Sequence, residues 1–170
     1  MDMGNSRVIR LLFIVVLSVS GFNKKLNANT YQFEPYSITQ GLNHTHVLSI
    51  FQDSKGFLRI GTYGGLHLFN GYSFQVFTAD VTDDKSISNN TVNAIYEDSN
   101  GFLWFGTEDG LNKYDHKTGE FKKYAQTKGQ LNFNKIKTIH EDAEGNIWVG
   151  TYGGGLNKFN VSTNTFEYFT

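Results

Sequence analysis

A ten-residue pattern written three times constrains this chain more than any other feature. Asp53-Ser-Lys-Gly-Phe-Leu-Arg-Ile-Gly-Thr62 recurs as Asp98-Ser-Asn-Gly-Phe-Leu-Trp-Phe-Gly-Thr107 and again as Asp142-Ala-Glu-Gly-Asn-Ile-Trp-Val-Gly-Thr151. The copies start 45 and then 44 residues apart. A period of that length marks an array of small units, each too small to bury its own apolar face and therefore stacked on the next.

Each unit resolves into four extended runs. Val47–Phe51, Val92–Tyr96 and Ile136–His140 open the units, rich in β-branched and aromatic residues. Phe57–Gly61, Phe102–Gly106 and Asn146–Gly150 follow, then Leu66–Phe69, Leu111–Tyr114 and Leu156–Phe159. The fourth run carries Phe-x-x-aromatic: Phe74/Phe77, Phe121/Tyr124 and Phe166/Phe169. Between the first two runs, Asp-x-x-Gly predicts a turn in which the carboxylate accepts nearby backbone N–H groups while glycine takes positive φ. Asn70-Gly71 predicts a two-residue hairpin between the third and fourth runs, with longer loops at Asp115–Glu120 and Asn160–Thr165. Four antiparallel strands per unit, with glycine and aromatic markers, describe a β-propeller blade. The 3.6-residue rhythm of helical repeats is absent. The fold class is therefore all-β, with blades spanning about 46–77, 92–124 and 135–169.

The chain has 170 residues and no cysteine, so packing alone must hold it and thiolate metal sites are excluded. A formal net charge of -1 supplies no basic field for nucleic acid. Arg7 and Arg10 precede an apolar run from Leu11 to Leu17, which predicts a secretory signal over 1–28, too short for a membrane span. Small residues suit cleavage after Ser20 or after Ala28. The mature chain is expected to be periplasmic and not membrane-spanning.

The Asp-x-x-Gly-x-aliphatic-Trp-x-Gly-Thr core, followed by Gly-Leu and Phe-x-x-Tyr, resembles the two-component regulator propeller repeat, over about residues 31–170. The resemblance implies the exported sensory part of a hybrid two-component regulator. Such proteins carry many more repeats, a sandwich domain, a membrane span and a histidine kinase, none of which is present here. It also implies a ligand class, often carbohydrate fragments of extracellular glycans. Two positions depart from the pattern: Arg59 stands where the other copies have Trp104 and Trp148, and Gly153-Gly154-Gly155 holds one extra glycine.

Residues 31–36, with Phe33 and Tyr36, repeat the Phe-x-x-aromatic pattern of a fourth strand but lack three partner strands. Three blades fall short of the four to eight that close a ring. The expected architecture is thus three four-stranded blades plus one N-terminal strand in an incomplete ring, completed by further blades or by another subunit.

Loops at the end where second strands hand over to third strands form one rim, and binding residues concentrate on such loops. Tyr63, Glu108, Asp109 and Tyr152 are the candidate ligand residues there, two tyrosines around a carboxylate being suited to a sugar. Asp53, Gly56, Gly61, Asp98, Gly101, Trp104, Gly106, Asp142, Gly145, Trp148 and Gly150 form the turn-and-strand motif and are assigned a structural role. His44 and His46 lack a third ligand at matching spacing, and His140 aligns with Phe51 and Tyr96 as a strand residue. No metal site, cofactor or catalytic constellation is expected, and the residues of the first strands expected to face the axis are mostly aliphatic or Ser, Asn and Thr. The reading is a sensory or assembly segment of a hybrid signalling protein. A stand-alone exported scaffold, or the product of a broken gene, is the alternative.

Overall fold

The computed structural model describes residues 32–127 and 130–170, so the expected signal segment lies outside the described residues. Residues 35–170 form one compact unit. Among the described residues twelve strands make three four-stranded antiparallel sheets in simple meander order. Blade one holds β1 (Val47–Gln52), β2 (Leu58–Thr62), β3 (Leu66–Phe69) and β4 (Phe74–Phe77). Blade two holds β5 (Val92–Glu97), β6 (Leu103–Thr107), β7 (Gly110–Asp115) and β8 (Glu120–Tyr124). Blade three holds β9 (Ile136–Glu141), β10 (Ile147–Thr151), β11 (Leu156–Asn160) and β12 (Thr165–Phe169). Among the described residues no helix is long and apolar enough to cross a membrane.

The repeated aspartate ties each blade's first turn to its second strand. Asp98 Oδ1 accepts from the backbone N of Asn100 and Phe102, at 3.0 and 2.9 Å, while Oδ2 accepts from the Trp104 indole at 2.7 Å. Asp142 repeats this with Glu144, Asn146 and Trp148. In blade one, Asp53 accepts from Lys55 and Phe57, and Arg59 Nε replaces the indole nitrogen at 2.9 Å. The departure at Arg59 therefore keeps the one N–H that the turn requires.

Cross-strand register sorts the side chains onto two faces. Ser49, Gly61, Leu66 and Phe77 share one row, as do Ala94, Gly106, Leu111 and Tyr124, and Thr138, Gly150, Leu156 and Phe169. In blades one and two this row packs against the following blade. A Cβ on Gly61 would lie 2.4 Å from the Val92 carbonyl oxygen, and one on Gly106 would lie 2.4 Å from Ile136 Cγ2. The glycine is thus the seat for the next blade's first strand. Leu66, Ile87, Val92, Leu103, Phe105 and Phe121 fill the first seam. Trp104, Tyr124, Ile136, Ile147 and Phe159 dominate the second. On blade three the same row stays open, with Leu156 36% and Phe169 47% exposed.

A second tie crosses each seam near the Asp turns. Ser54 donates through its N and Oγ to the two carboxylate oxygens of Glu97, both at 2.6 Å. Ser99 does the same to Glu141 at 2.8 and 2.6 Å.

Two expectations need correction. The segment expected as an N-terminal strand carries no strand over residues 32–37. A strand exists only against a partner, and all twelve strands among the described residues are already in complete blades. The hairpin in blade one is centred on Gly71-Tyr72 rather than Asn70-Gly71, because Phe69 pairs with Phe74 and the Asn70 N bonds the Ser73 carbonyl. Gly71 supplies the positive φ of 95° at the first central position. Asn70 closes the turn instead, its Oδ1 accepting from the N–H groups of Tyr72 and Ser73.

Candidate functional site

The rim is built by one local device used three times. The hydroxyls of Thr62, Thr107 and Thr151 donate to the carbonyls of Gly65, Gly110 and Gly155 at 2.9–3.0 Å. The same oxygens accept from the N–H of Gly64, Asp109 and Gly154. Threonine at the end of the second strand thereby folds the loop back and sets Tyr63, Glu108 and Tyr152 at equivalent places.

A bulge adds a second device. The register slips at the start of β1, β5 and β9, leaving Leu48, Asn93 and Lys137 as extra residues. Bulges re-aim side chains, and here two of them reach Glu108. Asn93 Nδ2 donates to Glu108 Oε1 at 2.8 Å and to the Ile136 carbonyl at 2.9 Å. Lys137 Nζ lies 3.1 Å from Oε1, and Lys135 Nζ lies 2.5 Å from Oε2. Desolvation pushes the Glu108 pKa up, but the hydrogen bonds from Lys135, Asn93 and Lys137 outweigh it and hold the carboxyl at about 2. The Glu108 hydrogen bond raises the pKa of Lys135 against a desolvation that lowers it.

Lys135 is therefore the point at which the rims of blades two and three meet. Its ammonium sits 5.0 Å from the Tyr152 ring centre, with Lys137 6.0 Å away, both at cation–π range. The Tyr152 N–H donates to the Lys135 carbonyl at 2.8 Å, closing the loop onto the lead-in to β9. Tyr63 stands among His44 and His46, each ring 5.7 Å from it. Both tyrosines remain half or more exposed.

Of the four residues expected at the rim, Glu108 and Tyr152 share the lysine pair and Tyr63 lies on its blade-one side. Asp109 turns away, accepting from Asn134 Nδ2 at 2.7 Å. It borders a separate cavity of about 310 Å³ with Ser88, Lys123 and Tyr124. Sequence reasoning missed Lys135, Lys137 and Asn93. The usable signal for Lys137 and Asn93 was their shared place one residue after the first β-branched residue of a strand. Among the described residues no three His, Cys, Asp or Glu side chains are grouped to hold a metal.

Residues 86–109 and 130–153 match the family described as Two component regulator propeller. These stretches run from the lead-in of blades two and three to their rim loops, and the first repeat lies outside both. A histidine kinase of Formosa agariphila is 33% identical over 82 residues, 48% of this chain and 6% of that protein. The crystal structure of an extracellular domain assigned to a hybrid two-component system of B. thetaiotaomicron superposes with a TM-score of 0.75 at 30% identity. That match covers 81% of this chain and 20% of the larger domain. Virginiamycin B lyase from Staphylococcus aureus shares the fold alone, with a TM-score of 0.56 at 17% identity over 74% of this chain and 41% of the enzyme. The chain thus spans a small part of the signalling proteins it resembles.

Proposed function

We propose that this chain, which carries two-component regulator propeller repeats and resembles the extracellular sensor domains of hybrid two-component systems, is a ligand-sensing segment of such a protein, exported to the periplasm. Its rim around Lys135 is the recognition surface, and a glycan fragment is the ligand class. The observation that carries this reading is the meeting of Glu108 from blade two and Tyr152 from blade three on a single ammonium, with Tyr63 at the equivalent place on blade one. Tyrosine faces and edges suit the C–H surface of a sugar ring. The hydrogen-bonding groups of Lys135, Lys137 and Asn93 suit its hydroxyls. Binding across three blades would resist any change in their relative tilt. In the larger protein that stiffening is the signal handed toward the membrane and the kinase.

Calorimetric titration of the protein with neutral and acidic plant and algal oligosaccharides tests the assignment. Binding that is lost when Tyr63, Glu108 and Tyr152 are all replaced by alanine supports it. Affinity unchanged in that triple variant overturns it.

A further inference from the structure

His67 sits where the other two blades carry asparagine. It pairs with Ile60 and Val76, as Asn112 pairs with Phe105 and Lys123, and Asn157 with Val149 and Tyr168. All three side chains are fully buried. Each accepts a hydrogen bond from a backbone N–H of the segment that leads into its blade. Ser88 N donates to Asn112 Oδ1 at 2.8 Å, Asn132 N to Asn157 Oδ1 at 3.0 Å, and Asn43 N to His67 Nε2 at 3.1 Å. The residue before each donor, Leu42, Ile87 or Leu131, is buried too, so one device latches all three lead-ins.

Only in blade one can the latch titrate. An amide oxygen accepts at any ordinary pH, whereas an imidazole nitrogen accepts only while it carries no proton. Acceptance at Nε2 fixes His67 as the neutral ring with its proton on Nδ1. Nδ1 is buried without a partner in bonding geometry. Burial lowers the pKa below its ordinary value of 6.5, outweighing the nearby Ile60 and Gly65 carbonyls, which favour the charged ring. No carboxylate is placed to compensate a charge there. β1, β2, β4 and the lead-in 41–46 contain none, and Glu34 further back is exposed. The other titratable groups on these elements and the following turn are His44, His46, Tyr63 and Arg59. Arg59 lies on the opposite face of the sheet, bonded to Asp53.

The segment held by His67 carries part of the rim of blade one. Asn43 Nδ2 donates to the Gly64 carbonyl at 2.6 Å, and the His44 and His46 rings flank Tyr63. A Cβ on Gly64 would lie 2.7 Å from Asn43 Oδ1 and 2.8 Å from His44 Cβ, so lead-in and rim turn are in direct contact.

We propose that His67 is a proton-operated latch on the rim of blade one. A proton on Nε2 sets two N–H donors against each other, releases Asn43, and frees His44 and His46 from Tyr63. Ser88 and Asn132, held by amides, stay closed over the same range. The use of this release to regulate ligand binding rests on the recognition role given to the rim; the latch itself does not. Its sign follows from the ring being held neutral. The latch is complete above pH 6.5 and is lost progressively as pH falls below that value.

Hydrogen exchange of the ligand-free protein, corrected for the intrinsic effect of pH, tests the latch. From about pH 7.5 to about pH 5 the Asn43 amide should lose roughly tenfold or more of its protection. The ceiling is about thirtyfold, set by a released imidazole of ordinary pKa. The Ser88 and Asn132 amides should not change. His67→Asn gives blade one the residue of the other two and should make Asn43 equally insensitive. His44→Gln combined with His46→Gln should leave the loss in place. A flat Asn43 in the unmodified protein overturns the proposal, as does a loss that persists in His67→Asn or vanishes in the double variant. Ring nitrogen NMR shifts give a reading that needs no variant. The Nδ1–H tautomer of His67 is expected at neutral pH, and the Nε2–H tautomer overturns the latch. With no ligand present, failure of the recognition reading leaves every one of these outcomes unchanged.

Discussion

Arg59 Nε donates to Asp53 Oδ2 at 2.9 Å, in the place where the Trp104 and Trp148 indoles donate to Asp98 and Asp142 at 2.7 Å. Both members of the pair in blade one are buried, with 2% and 0% side-chain exposure. The guanidinium differs from an indole in one costly respect, since its Nη1 is buried without a partner. Replacing Arg59 by methionine leaves Asp53 as an uncompensated buried charge and should cost about 3–5 kcal/mol. Arg59→Trp restores the single N–H donor without the orphaned one and should retain most of the stability. Urea denaturation of the two variants checks the contrast. Equal losses would show that shape, not the donor, governs the site.

The seam glycines are expected to differ according to what lies over them. Gly106→Ala drives a methyl group into Ile136, whose branched side chain is fully buried, and should cost about 1–3 kcal/mol. In Gly150→Ala the methyl group meets Thr138 Cγ2 at 2.6 Å, an exposed side chain of the same blade that can turn aside. The loss there should be smaller, and thermal melts of the two variants measure it.

The serine–glutamate ties predict coupling between residues more than forty positions apart. Ser54→Ala and Glu97→Gln should each destabilise modestly, while the double-mutant cycle returns a coupling of about 1 kcal/mol, limited by exposure. The equivalent cycle at Ser99 and Glu141 should agree. A cycle at Ala143→Ser with Gln52→Glu should show no coupling, since those residues do not meet in this chain.

Acid should loosen the rim. Glu108 has its pKa lowered from its ordinary value near 4.5 to about 2. A depressed carboxyl contributes stability that is full above the unfolded value and is lost as pH falls through the folded one. The Lys135–Glu108–Lys137 network should therefore weaken progressively between those two values. Following the Glu108 carboxyl carbon by NMR checks this, and Lys135→Met should move its titration upward toward the ordinary value.

Much of the blade was legible because its determinants are local. Asp98 bonds residues two, four and six positions on, so its role is written within one turn and one strand. Asn70-Gly71 misled because the strongest short hairpin signal yields to cross-strand register, which set Phe69 against Phe74 and moved the turn by one residue. Tyr63, Glu108 and Tyr152 were legible as equivalent rim positions. Lys135 and Lys137 were not, because they belong to the lead-in and bulge of blade three and reach a glutamate of blade two.

The sequence alone determined the three blades of this stretch, the strands within each, and the Asp turns and glycine seats, because all of these depend on periodicity and on bonds between near neighbours. Only the tertiary structure decided which loops meet, that Lys135 joins Glu108 of blade two to Tyr152 of blade three, and that Tyr36 packs edge-on against Phe69 and Phe74. Those relationships lie across seams between blades. There the partner is chosen by how sheets pack face to face, and no spacing along the chain encodes that angle.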